Sequence, residues 1–188
     1  MHPFPEHIKP CTVMVFVDGE NLAIRWQQLL GDKEPPSHVV CEKDVFVWSK
    51  YLNMRHHVGC NITRKHYYTS ATGDSDNRDR IFDVLKSLEI EAPSVFPRTK
   101  NKGSKRVDIT LSVDMLTHGF YKNYDAAVLV AGDEDYVPLV QAVKNVGRRV
   151  FLWFVESGLS PALKRSADYY FDMAKVLCNP DAGRYFNA

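Results

Sequence analysis

Three stretches of this chain are apolar at strand length: 12–17 (TVMVFV), 125–131 (DAAVLVA) and 149–155 (RVFLWFV). Runs of this kind, with few or no polar interruptions, fit strands buried on both faces of a sheet. Between them the pattern changes to a helical period. Residues 21–30 place Leu22, Trp26 and Leu29 or Leu30 on one face, and 75–88 place Ile81, Val84, Leu85 and Leu88 at i, i+3, i+4 and i+7. Helices are also predicted over 44–53, 107–121 and 137–145, the last ending at Gly147, and a short one over 160–167 with Pro161 in its first turn. Residues 62–69 read as a strand whose charges leave one face exposed, 93–97 as an edge strand between prolines, 169–171 as a last strand, and 100–104 as a linker. Strands alternating with helices make βαβ units, so the fold class is α/β with a central, mainly parallel sheet.

The 188 residues suit one domain, with a core over 12–171 and short N- and C-terminal extensions. Composition adds little beyond exclusion: 45% hydrophobic, 25% charged and 12% aromatic residues rule out a disordered chain. Four cysteines without a CxxC pair indicate reduced thiols, and no apolar run reaches a signal or membrane-spanning length, so a cytoplasmic protein without a membrane partner is expected. Trp26 and Trp48 on helices and Trp153 in a strand read as core. Tyr67, Tyr68 and Tyr136 lie among polar or basic neighbours and are candidates for one base-stacking residue.

Net charge is only +1, yet its distribution is uneven. No acid occurs between Val45 and Gly73, a stretch carrying Lys50, Arg55, His56, His57, Arg64, Lys65 and His66. Five basic residues (Arg98, Lys100, Lys102, Lys105, Arg106) fall within nine positions. Segments of this kind hold polyanion backbones.

The compensating acids collect where strands end. TVMVFV runs into Asp18-Gly19-Glu20-Asn21, and AAVLVA into Gly132-Asp133-Glu134-Asp135. Groups just past the carboxyl ends of parallel strands line the ligand crevice of such sheets, so Asp18, Asp133 and Asp135 are expected to converge. A single acid there would serve as a helix cap; several repel one another and call for a cation. Asp108, at the start of the helix after the basic linker, is either a helix-start carboxylate or a further member. Asp114 lies roughly 120° around that helix and about 9 Å along it, so the two do not chelate one ion, and Asp114 is assigned a supporting role. Carboxylates without His or Cys partners favour Mg²⁺ or Mn²⁺, and the chemistry that fits is phosphodiester hydrolysis. No GxxxxGK[ST] loop or GxSxG elbow is present. Two alternatives stay open: a non-catalytic RNA-binding or regulatory module that keeps the fold, and a phosphatase-like hydrolase using Asp18 as nucleophile.

Asp18-Gly19-x-Asn21, Lys105-x-x-Asp108-x-x-Leu111 with Asp114, Leu129 through Leu139 with Gly132-Asp133-x-Asp135-Tyr136-x-Pro138, Gly147, and Ser160-x-x-Leu163 with Ala167-Asp168 together resemble the NYN domain, the LabA-like branch of the PIN-like nuclease superfamily. The resemblance implies a PIN-like Rossmannoid three-layer sandwich and a metal-dependent ribonuclease acting on RNA. It implies Asp18, Asp108, Asp133 and Asp135 as catalytic metal-binding carboxylates, Asn21 orienting water or Asp18, Lys105 on phosphate, and Asp168 as a further supporting acid. Arg98, Lys100, Lys102 and Arg106 would steer the strand beside Lys105. An edge strand at 93–97 would permit a homodimer.

Overall fold

The computed structural model describes residues 11–53, 60–98 and 105–182. Its elements run β1 (Cys11–Asp18), α1 (Gly19–Leu30), β2 (Val39–Glu42), β3 (Phe46–Ser49), β4 (Cys60–Ala71), α2 (Ser75–Ser87), β5 (Ala92–Pro97), α3 (Lys105–Phe120), β6 (Ala126–Val130), α4 (Val137–Asn145), β7 (Arg149–Phe154), α5 (Pro161–Ser166), β8 (Tyr169–Asp172) and α6 (Ala174–Leu177). Among the described residues six strands form one sheet in the order β5-β4-β1-β6-β7-β8, and each adjacent pair is parallel.

The apolar run of β1 is continuous because both of its faces are covered. Val13, Val15 and Val17 pack with Leu22 and Trp26 of α1, Ile81 and Leu85 of α2, and Val176 and Leu177 of α6. Met14 and Phe16 point the other way, toward Val107, Leu111 and Met115 of α3 and Val140 and Val143 of α4. This is the α/β sandwich expected from the sequence, and it is consistent with a PIN-like architecture.

The strand order has a functional consequence. From β1 the chain moves outward through β4 to β5, then returns to lay β6 on the other side of β1 and continues to β8. The direction of winding reverses between β1 and β6, and a crevice opens beyond the carboxyl ends of the strands at such a point.

Three expectations are corrected. The helix predicted over 44–53 is instead β3 followed by a 3₁₀ turn at Lys50–Asn53, with β3 antiparallel to β2 across a turn in which Asp44 has φ 56°. The run Val45–Trp48 is short and unbroken, a pattern that serves a buried strand as well as a helix. Trp48 is therefore buried in a strand, with its indole N–H donating to Asn53 Oδ1 at 2.9 Å. Second, β4 is exposed only near its start, at Asn61, Thr63 and Arg64, and not along one whole face. It lies between β1 and β5, and Lys65 and His66 are buried, Lys65 through an ion pair to Glu91 at 3.1 Å. Burial holds the His66 imidazole down to about 4, so neither residue offers a cation to solvent at neutral pH. Arg55, His56 and His57 of that basic segment lie outside the described residues. Third, Tyr67, Tyr68 and Tyr136 are all buried, which removes them as base-stacking platforms. Trp26 and Trp153 are core residues as read, and among the described residues no helix is long and apolar enough to cross a membrane.

Candidate functional site

β1 ends on Asp18, which caps α1: its Oδ1 accepts from the Asn21 N–H at 3.1 Å. β6 leads into Asp133, which caps the 3₁₀ turn Glu134–Tyr136 through Oδ1 and the Asp135 N–H, also at 3.1 Å. Capping thus accounts for one oxygen of each acid and leaves the pairing of the two unexplained. They meet because β1 and β6 are adjacent, and Asn21 Oδ1 joins the turns by accepting from the Gly132 N–H at 2.9 Å.

Asp108 arrives from the first turn of α3. A cleft of about 260 Å³ results, lined by Asp18, Glu20, Asp108, Asp133 and Asp135, with Asn21, Tyr136, Ser112 and Ile24 completing its walls. Among the described residues no lysine or arginine lines it.

The electrostatics follow from that composition. Burial pushes the Asp18 carboxyl up to about 7, with the neighbouring Asp108 and Glu20 adding to the shift. Burial, reinforced by Asp133, Glu20 and Asp135, raises Asp108 as well. The Tyr136 hydroxyl lies 3.0 Å from Asp18 Oδ2 and 3.1 Å from Asp108 Oδ1. A phenol has one proton to donate, so it can serve only one of two ionised carboxylates. Both contacts become hydrogen bonds when one carboxyl retains its proton, in line with the raised affinity of Asp18. Tyr136, one of three tyrosines considered for stacking a base, instead bridges two acids.

Glu20 was missed as a site residue. It is buried, its Oε1 is 3.3 Å from Arg98 Nη2, and Ser70 Oγ donates to it. The available signal was its place in the first turn of α1, two residues past Asp18. Ser112 was missed too, although it stands at i+4 from Asp108 and so shares its face of α3.

The remaining predicted residues separate. Asp114 accepts from the Tyr68 hydroxyl at 2.8 Å and does not line the cleft, as its offset from Asp108 requires. Asp168 is corrected: it accepts from the Val150 N–H at 2.8 Å and pairs with Lys144 at 2.8 Å, at the amino end of β7, the far end of the sheet from the cleft. Despite partial burial, these partners hold its carboxyl below the usual range. Arg98 is corrected as a strand-steering cation, because it binds Glu20, Ser70 Oγ at 2.9 Å and the Asp44 carbonyl at 2.6 Å. Lys105 and Arg106 are exposed at the start of α3, with Arg106 over the Phe96 ring at 4.8 Å. Lys100 and Lys102 lie outside the described residues. Ser160 caps α5, accepting from the Ala162 and Leu163 N–H groups.

The cleft's donors are hard oxygens, the set that suits Mg²⁺ or Mn²⁺. Among the described residues no three of them stand close enough to form a cage. Magnesium does not require one, since it is held by one or two carboxylates with water and substrate phosphate filling the remaining positions. The donor chemistry therefore fits a divalent cation.

Comparison with known proteins gives a consistent picture. The family model of the NYN domain matches residues 12–174. NYN domains belong to the PIN-like nuclease superfamily, whose nucleases generally use divalent metals. An uncharacterized protein of Methanocaldococcus jannaschii is 35% identical over 63 residues, which cover 34% of this chain and 26% of that protein. The match thus spans about a quarter of that relative. A crystal structure of a protein of unknown function from Vibrio parahaemolyticus superposes with a TM-score of 0.67, covering 90% of this chain and 96% of that one at 15% identity, a likeness of fold.

Proposed function

The chain belongs to the NYN domain family, and from this we propose that it is a divalent-metal-dependent ribonuclease of the LabA-like branch, a single domain with its core at 12–171. The observation that carries the reading is the convergence of Asp18, Asp108, Asp133 and Asp135 on one cleft at the β1–β6 reversal, beside buried Glu20 and without a lining cation among the described residues. Such a cluster is costly in itself, and a bound cation relieves it.

Asp18, Asp108, Asp133 and Asp135 would hold Mg²⁺ or Mn²⁺. When bound, the cation supplies Lewis acidity and an activated water for in-line hydrolysis of an RNA phosphodiester. The chain's own contributions are positional. Tyr136 ties Asp18 to Asp108, Asn21 ties the β6 turn to α1, and Arg98 holds Glu20 at the back of the cleft. Lys105 and Arg106, exposed one turn from Asp108, are suited to phosphate on the side where the strand enters.

Purified full-length protein tests this with single-stranded RNA and Mn²⁺. Cleavage is expected, abolished by chelator and lowered roughly 100-fold or more in Asp133→Asn. The absence of turnover with any divalent metal, together with salt-sensitive RNA binding that survives loss of the carboxylates, would instead identify a binding module.

A further inference from the structure

A second cleft, about 400 Å³ in volume, adjoins the acidic one and shares Asn21 and Asp133 with it. Its other polar lining is mixed in charge: Arg25 from α1, Ser157 and Ser160 from the segment after β7, and Glu134 beside Asp133. Arg25 follows Asn21 by four residues and so shares its helix face. Among the described residues, no other lysine or arginine lines either cleft.

Packing sets the position of Arg25. Its aliphatic stem lies across Gly158, where an added Cβ would stand 2.7 Å from Arg25 Cδ and 2.8 Å from Cγ. Beneath it, a Cβ on Gly132 would meet the Gly158 carbonyl oxygen at 2.5 Å and the Phe154 ring at 2.2 Å. The Ser160 N–H donates to the Gly132 carbonyl at 2.8 Å. Arg25, the 156–160 segment and the turn that carries Asp133 therefore pack together, and the exposed Arg25 lines the same cleft as Asp133. Its Nη1 donates to Gln28 Oε1 at 3.1 Å, one of five donors in the fork, and among the described residues it has no carboxylate partner.

A cation without a carboxylate partner, its stem packed at the edge of an acidic cleft and accompanied by serines, has the chemistry of a phosphate site. We propose that this second cleft is a backbone-phosphate subsite in which Arg25 binds the phosphate next to the scissile one on a nucleic-acid strand. The inference rests on the nuclease reading of the acidic cleft and adds the path of the strand: in over Lys105 and Arg106, across the acids, and out past Arg25. Glu134 on the rim opposes the phosphate, which makes the contact depend on Arg25 all the more.

The test measures binding of a labelled single-stranded RNA to the full-length protein in chelator, where turnover does not intervene, over a range of salt. It compares wild type with Arg25→Gln, Gly158→Ala and Lys175→Gln, the last removing a charge on α6 outside both clefts. Arg25→Gln is expected to weaken binding about tenfold and to flatten the slope of log K against log salt by about 0.7, the signature of one lost phosphate contact. Gly158→Ala, whose added Cβ presses on the Arg25 stem at Cβ, Cγ and Cδ, shows part of the same loss. Lys175→Gln leaves the slope unchanged. In Mn²⁺, Arg25→Gln raises KM with kcat held within about twofold. An Arg25→Gln protein that matches Lys175→Gln in slope and KM overturns the subsite even if wild type cleaves RNA. A wild type that never cleaves but keeps the Arg25-dependent slope overturns the catalytic reading and leaves the subsite standing.

Discussion

The same parallel strands present aspartates at both ends of the sheet, and the two ends treat them differently. At the amino end, Asp125 accepts from the Thr12 N–H at 2.9 Å and the Thr12 hydroxyl at 2.8 Å, with Arg148 at 3.5 Å. Asp168, two strands along the same end, is satisfied by Lys144 and Val150. At the carboxyl end, Asp18, Asp108, Asp133 and Asp135 line one cleft, and the guanidinium of Arg98 is taken by Glu20. Acids placed for stability bring their own donors. Acids placed against each other are destabilising until something binds, which is why the proposed function is assigned to this end of the sheet.

The contrast is sharpest at Asp18. Its folded carboxyl titrates at about 7 against an ordinary 3.8, so the fold retains a proton that the unfolded chain has lost across that window. Stability from this group is complete below about pH 4 and is lost as pH rises through 7, by roughly 4 kcal/mol in the limit. Buried His66 works in the opposite direction, its stabilisation being lost as pH falls from 6.5 toward about 4, so the informative quantity is the difference between wild type and Asp18→Asn. That difference should decline between pH 4 and 7 in denaturant titrations, and Mg²⁺ at pH 8 should raise the wild-type Tm more than that of the variant. A difference that stays flat with pH would break the comparison.

Activity gives the next largest contrast. Asp108→Asn should reduce RNA cleavage roughly 100-fold, whereas Asp168→Asn, at the other end, should leave kcat within about twofold. Equal losses in a cleavage assay would mean the two ends are not functionally distinct. Tyr136→Phe, which removes the hydroxyl joining Asp18 to Asp108, is expected to lower kcat about tenfold and to shift the acid limb of the pH–rate profile, a change that a purely structural tyrosine would not produce. The smallest effect is thermodynamic: Asp168→Asn should cost about 1 kcal/mol in urea unfolding, because its lysine partner is partly exposed and screened.

Much of this site was legible in the sequence because two apolar runs each end in an acid, and parallel topology carries such ends to one place. The strands β1 and β6 and the helix α4 were read for the same reason: they have unbroken or strictly periodic patterns. The hairpin β2–β3 was not, since a four-residue apolar run carries no period. Arg98 shows where sequence reading of charge fails. A cation is visible along the chain, but the buried glutamate and the backbone carbonyl that occupy it are brought there only by the fold. Asp168 belongs to the same family resemblance as the cleft acids yet lies a strand's length away from them, because its neighbour in space is the start of β7 and not its end. Glu20 was hidden by its type, a residue that reads as a helix-start acid until its burial is seen.

The prolines of β5 have a consequence for how copies of this molecule meet. β5 is an outer strand of the sheet, and the Arg98 N–H turns inward to the Ala71 carbonyl, so the alternate amide positions 93, 95 and 97 point outward. Two of those three are Pro93 and Pro97, which have no N–H, leaving Val95 as the outward donor over this stretch. An incoming strand would find little to pair with, and the open edge is thereby protected against β-sheet extension from one molecule to the next.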